Sequence, residues 1–320
     1  MQKRRIIKID LTERTTNLND LFVRFINVKK AQQMSERTIS DYLETFNRFK
    51  KHYKATDIND LEQIKDDLLS FFVSLSNKAP TTYNKPYSNL NAFFNWCVKE
   101  KIITENPLIA VGLKKIRDEG KIRNIEEVAI KKLLDVMDLS TYVGFRDYCI
   151  VLLTMDTGIR PKEAFNILIS DINFGSKILT IRKEVSKTRV SRVLPLSNQT
   201  IMCLEKLISF KPKDWLHNYI FYTIDGEQMN SHMWATKLNR LSKKIGYKIT
   251  PYDLRHTFAI MFLRNGGNVF SLQSLLGHTE ISMTKRYVNL AFSDVKNEHT
   301  KASPINNIVK RTTRINKLFK

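Results

Sequence analysis

Residues 250–287 read TPYDLRHTFAIMFLRNGGNVFSLQSLLGHTEISMTKRY. Within a largely helical text, the stretch carries a block Thr250-Pro-Tyr252-Asp-Leu-Arg255-His256-Thr257 and a block Leu276-Gly277-His278, with Tyr287 nine residues beyond the histidine. Two blocks of similar character stand upstream, Thr157-Gly-Ile-Arg160-Pro-Lys-Glu163 and Ser186-Lys187-Thr188. Asp156-Thr157-Gly158 breaks a helical run over Arg146–Met155. Arg160-Pro161 opens the next helix, where proline suits the first helical position. Segments 177–182 (KILTIR) and 190–196 (VSRVLPL) read as strands around the polar turn 184–189, so Lys187 lies at the tip of a predicted antiparallel hairpin. Residues 125–295 are thus predicted to form a mainly α domain with a small antiparallel β-sheet.

Toward the N-terminus, residues 15–111 read as a helical domain. Ser35-Glu36-Arg37-Thr38 opens a helix whose apolar stripe is Ile39, Tyr42, Leu43, Phe46 and Phe49, at spacings of three and four. A second stripe runs Leu61, Ile64, Leu68, Phe71, Phe72, Leu75. A third runs Leu90, Phe93, Phe94, Cys97 in a helix from about Thr81, which Pro86 is predicted to kink or restart. Such stripes are core. Asn106-Pro107 is predicted to end this region, because the residue before proline is pushed out of the α basin. Residues 112–124 turn charged and lose the stripe, which marks a linker. Residues 1–14 and 296–320 are left as tails.

The chain has 320 residues, 53 Lys+Arg against 32 Asp+Glu, and a formal net charge of +21. Residues 1–120 hold 21 basic and 15 acidic residues, and the rest hold 32 and 17. With 42% hydrophobic residues and 18 Phe, global disorder is excluded. Only 10 Gly and 8 Pro argue against a collagenous or many-turned all-β chain. The longest largely apolar run, Tyr148–Met155, is far shorter than a membrane span, and no secretory signal pattern follows the basic start MQKRRIIKID. Cys97, Cys149 and Cys203 are isolated, so neither a zinc site nor a disulfide framework is suggested, and a reduced, cytoplasmic setting is expected. The charge points to a polyanion, with nucleic acid ahead of an anionic membrane.

No GxxxxGK[ST] loop, HExxH or EF-hand loop is present, which disfavours an ATP-driven enzyme and the usual metal sites. The four ordered blocks in the C-terminal half closely resemble the tyrosine recombinase (phage integrase) family, and the helical half resembles that family's core-binding domain. The resemblance implies a two-domain, C-shaped clamp on duplex DNA and a site-specific recombinase that needs neither metal nor ATP. Its implied partners are duplex DNA and a homo-tetramer on two recombination sites, with accessory DNA-bending proteins compatible. The scarcity of residues before the first helix favours a simpler Xer-like or mobile-element type. Integration, excision, transposition and resolution all stay open.

A phosphodiester resists nucleophiles and gains negative charge on its oxygens as the transition state forms. Arg160 and Arg255 supply planar, always-charged forks matched to those oxygens. By resemblance, Tyr287 is the nucleophile that becomes 3′-phosphotyrosyl, Lys187 protonates the departing 5′ oxygen, with Lys183, Arg182 and Arg189 as nearby alternatives, and His278 bonds a phosphate oxygen. Glu163 either orients the cations or caps its own helix. Tyr252 stands where the family most often has histidine. A phenol donates a hydrogen bond at neutral pH but accepts a proton poorly, so general-base help to Tyr287 from this position is in question. The neighbouring His256 is predicted by helical register to point elsewhere, as a structural residue. The tail 296–320, with seven basic residues and Ile305, Ile308, Ile315 and Leu318, is a candidate docking segment for a neighbouring subunit. A type IB topoisomerase-like strand relaxer and a catalytically weakened DNA-binding protein are the competing functional readings.

Overall fold

The computed structural model describes residues 16–55, 57–118, 122–212, 215, 218–291, 299–300 and 302–308. They form two compact units that divide between residues 120 and 121.

The first unit is helical. Asn17, Ser35 and Asp60 each accept a backbone N–H at the starts of α1 (Leu18–Ala31), α2 (Glu36–Phe49) and α3 (Leu61–Val73), pairing donors that a helix start otherwise leaves unpaired. The stripes converge on one aromatic core in which Phe22 stacks on Phe46 at 3.8 Å and Phe25 meets Phe93 edge-on at 5.5 Å. Leu43 departs from its predicted place and is 42% exposed, because α2 buries the Ile39, Phe46, Phe49 face. Helix α4 (Pro80–Lys99) runs unbroken through Pro86. The predicted restart does not occur, since Leu90, Phe93, Phe94 and Cys97 beyond it are fixed in the core and packing outweighs one lost hydrogen bond. Asn106-Pro107 starts a helical turn instead of ending the region: Asn106 caps α5 (Pro107–Ala110) through Leu108 N–H at 3.0 Å, and proline takes the first position.

The second unit contains α6 (Glu127–Asp135), α7 (Tyr142–Thr157), α8 (Pro161–Ala164), β1 (Ile172–Asn173), β2 (Ile178–Ile181), β3 (Arg192–Pro195), α9 (Asn198–Ser209), α10 (Ser231–Ile245), α11 (Pro251–Arg264), α12 (Val269–Leu276) and α13 (Ile281–Ala291). The sheet is antiparallel in the order β1-β2-β3, with Leu179 opposite Leu194 and Ile181 opposite Arg192. The hairpin agrees with the sequence reading. β1 is an addition: two residues carry no period, so only pairing with β2 defines that strand. Helix α7 is buried on most sides and packs on α9 and α11. A smaller apolar cluster joins α11, α12 and α13 through Phe258, Leu263, Leu272, Leu276 and Tyr287. This cluster packs the helices that carry the blocks 250–257 and 276–278 against the helix that carries Tyr287. Among the described residues, no helix is long and apolar enough to cross a membrane.

Candidate active site

Helix α12 ends at Gly277, whose φ of 60° lies in the left-handed region that glycine adopts without penalty. The last carbonyls of a helix lack intrahelical partners and form its negative pole. Three consecutive carbonyls here each receive a guanidinium. Arg192 Nε donates to Leu275 O at 2.9 Å, Arg255 Nη2 to Leu276 O at 2.8 Å, and Arg160 Nη2 to Gly277 O at 2.8 Å. Helix α7 ends the same way: Gly158 has a φ of 62°, and its carbonyl accepts from Arg255 Nη1 at 2.6 Å. Two helix C-termini therefore hold the predicted Arg160 and Arg255, together with Arg192, in one place. Each guanidinium has five N–H groups. These bonds and one to His278 use three on Arg255, and two on Arg160 are used here and at Glu163. Among the described residues, the others make no further hydrogen bond.

Glu163 is 1% exposed and lies between two of the cations. Its Oε1 accepts from Arg160 Nη1 and Arg192 Nη1, both at 3.1 Å, and its Oε2 from Arg192 Nη2 at 2.6 Å. Oε2 also accepts the Arg160 backbone N–H at 3.2 Å. Glu163 thus caps its own helix and at the same time contacts both guanidinium groups. Burial works against its ionisation, but the hydrogen bonds and charge of Arg192, with those of Arg160, outweigh it and keep the carboxyl below its ordinary range.

His278 Nε2 lies 3.2 Å from Arg255 Nη2, so it accepts, and Nδ1–H donates to Thr284 Oγ1 at 2.9 Å. Burial and the charges of Arg255, Arg160 and Arg192 push its pKa down to about 4, so the ring is neutral at pH 7. Tyr287, on α13, is 4% exposed, with its ring nearly parallel to that of His278 at 6.2 Å. Burial raises its phenol pKa, against the opposing charges of Arg255, Arg286 and Arg160. Its Oη lies 2.8 Å from His256 Nδ1. This corrects the sequence reading of His256. One residue past Arg255 the helix turns by about 100°, away from the α7 and α12 termini but toward α13, which packs on the same helix.

Four predicted residues, Arg160, Arg255, His278 and Tyr287, are brought together with Glu163. Two are not joined to them by hydrogen bonds. Tyr252 is 54% exposed, and its ring lies 6.4 Å from that of His256. Lys187 is exposed in the turn between β2 and β3. Its neighbour Thr188 lines a cleft of about 550 Å³ together with Arg192, Gly277 and His278. Arg192 was absent from the sequence candidates. A signal existed, since strand alternation places it on the face of buried Leu194, an unusual address for a cation.

Two family models match the chain. The phage integrase family matches residues 123–294, and the phage integrase N-terminal SAM-like domain matches residues 20–101. Tyrosine recombinase XerD of Listeria monocytogenes is 27% identical over 90% of this chain and 99% of its own. Tyrosine recombinase XerA of Saccharolobus solfataricus is 32% identical over 62% of each chain. Among solved structures, the Tn1549 transposon integrase in complex with a circular intermediate DNA superposes with a TM-score of 0.70 at 18% identity, over 85% of this chain and 95% of its own. A lambda integrase tetramer bound to a Holliday junction gives 0.69 at 18%, over 84% and 79%.

Proposed function

The chain belongs to the phage integrase family and is a tyrosine-type site-specific DNA recombinase; from that premise we propose that the cluster at the end of α12 is its strand-cleaving centre. The observation that carries this reading is the gathering of Arg160, Arg255 and a neutral His278 beside Tyr287. The spare guanidinium N–H groups bind the scissile phosphate. Tyr287 Oη attacks phosphorus, the bond from phosphorus to the 5′ oxygen breaks, and the strand is held as a 3′-phosphotyrosyl ester. Lys187 protonates the departing 5′ oxygen from its exposed turn. The ester conserves the energy of the broken bond, so a 5′ hydroxyl of another strand reverses the reaction. Glu163 and Arg192 touch no reacting atom; they position Arg160 and the α12 terminus. Both nitrogens of His278 are engaged within the protein, so its role toward phosphate follows an exchange of the bond from Arg255.

The partner is duplex DNA, and the assembly is a homo-tetramer on two sites; a lambda integrase tetramer bound to a Holliday junction supports that reading. The relatives do not favour the strand-relaxing alternative. DNA covalently attached to the protein in cells, once sequenced, defines the target. A nicked duplex of that sequence should then trap a covalent adduct on a denaturing gel. The adduct should vanish with Tyr287→Phe and fall about 10²–10³-fold with Arg160→Ala or Arg255→Ala, the effect of one lost transition-state donor. An adduct that survives Tyr287→Phe would sink the assignment.

A further inference from the structure

We propose that His256 is the proton acceptor for Tyr287. The inference rests on the reading of Tyr287 as nucleophile, and names the group that the reaction still needs. A phenol must lose its proton as its oxygen bonds to phosphorus. Three side chains near it are chemically suited to a role in that transfer. Tyr252 is a phenol itself, more than half exposed, with no hydrogen bond to Tyr287 among the described residues. His278 has Nε2 directed at Arg255 and Nδ1 at Thr284, so neither nitrogen faces the phenol with a spare lone pair. His256 alone of the three presents a ring nitrogen to Tyr287 Oη, at 2.8 Å, inside the distance that general-base transfer requires.

The surroundings of His256 suit this task. On α11 its charged neighbours are Asp253 and Arg255. From α13 it faces Arg286 as well as Tyr287, the His278 ring is near, and Tyr252 lies at the exposed edge. Burial, together with the charges of Arg255 and Arg286, outweighs the opposing pull of Asp253 and moves the imidazole pKa below its ordinary value of 6.5. At pH 7 the ring is therefore neutral. With its proton on Nε2, the Nδ1 lone pair receives the phenol proton. The step balances: Oη–H breaks as Oη–P forms, the proton passes to Nδ1, and the electron pair of the broken P–O bond leaves with the 5′ oxygen, which takes a proton from Lys187. Religation reverses each transfer.

The test uses full-length protein and the nicked duplex defined above, in single turnover from pH 5 to 9. His256→Gln should slow adduct formation by about 10²-fold or more while binding the duplex as wild type does. His256→Asn provides a second variant that keeps a polar group at the site. The wild-type rate should fall as pH drops through the folded pKa of His256, which lies below 6.5, and the variants should lose that component of the acid limb. A merely structural histidine would not move the profile. A duplex whose departing 5′ oxygen is replaced by sulfur needs no acid to release its leaving group. It should rescue Lys187→Ala and leave His256→Gln slow. Wild-type rate and profile in either folded His256 variant, or rescue of His256→Gln by sulfur, overturns the proposal. Failure of wild type to form any Tyr287-dependent adduct would instead overturn the functional reading beneath it.

Discussion

Glu163 is a carboxylate almost without water, and its charge is tolerable because Arg160 and Arg192 surround it. Removing one of the two leaves the buried charge only partly compensated, and about 3–5 kcal/mol, the cost of losing a buried charge's whole partner, is the upper bound. Arg192→Ala should therefore lower the unfolding free energy by up to that amount in urea titrations, and reduce cleavage because Arg160 loses its support. The pH dependence carries a sign. Glu163 is held below its ordinary value of 4.5, so its contribution is present above that pH and is lost as pH falls through its folded value. His278 acts in a higher window. Its pKa drops from 6.5 to about 4 on folding, so the unfolded chain binds the proton first, and stability falls as pH decreases from 6.5 toward 4. His278→Gln should flatten that part of a plot of denaturation midpoint against pH, whereas Glu163→Gln should flatten the part below 4.5. At this scale the sequence showed which residue types were needed. It did not show Arg192, whose importance comes from a carbonyl on α12 and a carboxylate on α8.

The element that organises the site is the C-terminus of α12, where three successive carbonyls accept from three arginines. Gly277 makes this possible by stopping the helix in the left-handed region, and Gly158 does the same for α7. A Cβ on Gly158 would lie 2.3 Å from Phe258 Cδ1 and would add left-handed strain of roughly 1 kcal/mol. Overpacking of this kind costs about 1–3 kcal/mol more. On Gly277 a Cβ would meet Arg192 at 3.1 Å, a contact the long side chain can relieve by moving. Gly158→Ala should thus lower the thermal midpoint more than Gly277→Ala. Both should impair cleavage, the second through displacement of Arg192. The helix stripes and the β2–β3 hairpin were legible because they have a period. β1, the continuity of α4 through Pro86 and the Asn106 cap were not, because pairing, core contacts and one side-chain bond decide them.

Across the whole molecule, the net charge of +21 divides into two kinds of cation. A diffuse majority should grip the phosphate backbone, so that log binding constant falls steeply with log salt, at about 0.9 per phosphate neutralised. Arg160 and Arg255 belong to the other kind. Replacing either should abolish most cleavage yet reduce the salt slope by only about one; a gel-shift series from low to high salt measures it. The tail is a separate question. Of residues 296–320, only 299–300 and 302–308 are described; Ile305 and Ile308 are exposed there, and Ile315 and Leu318 lie outside the described residues. Deleting 296–320 should weaken the pairing of two sites more than binding to one if the segment docks on a neighbour. Equal loss of both would exclude docking.

Periodicity, charge and four ordered blocks were enough to give the fold class, the family and the candidate residues Arg160, Arg255, His278 and Tyr287, because those properties are written along the chain at fixed spacing. The tertiary structure alone decided which group faces Tyr287. Tyr252 stands where the family usually has histidine, yet it points to solvent, while His256 reaches Tyr287 because α13 packs against that side of α11. A helical register fixes the direction of a side chain from its own axis. What lies in that direction depends on which helix packs there, and spacing along the chain does not encode it.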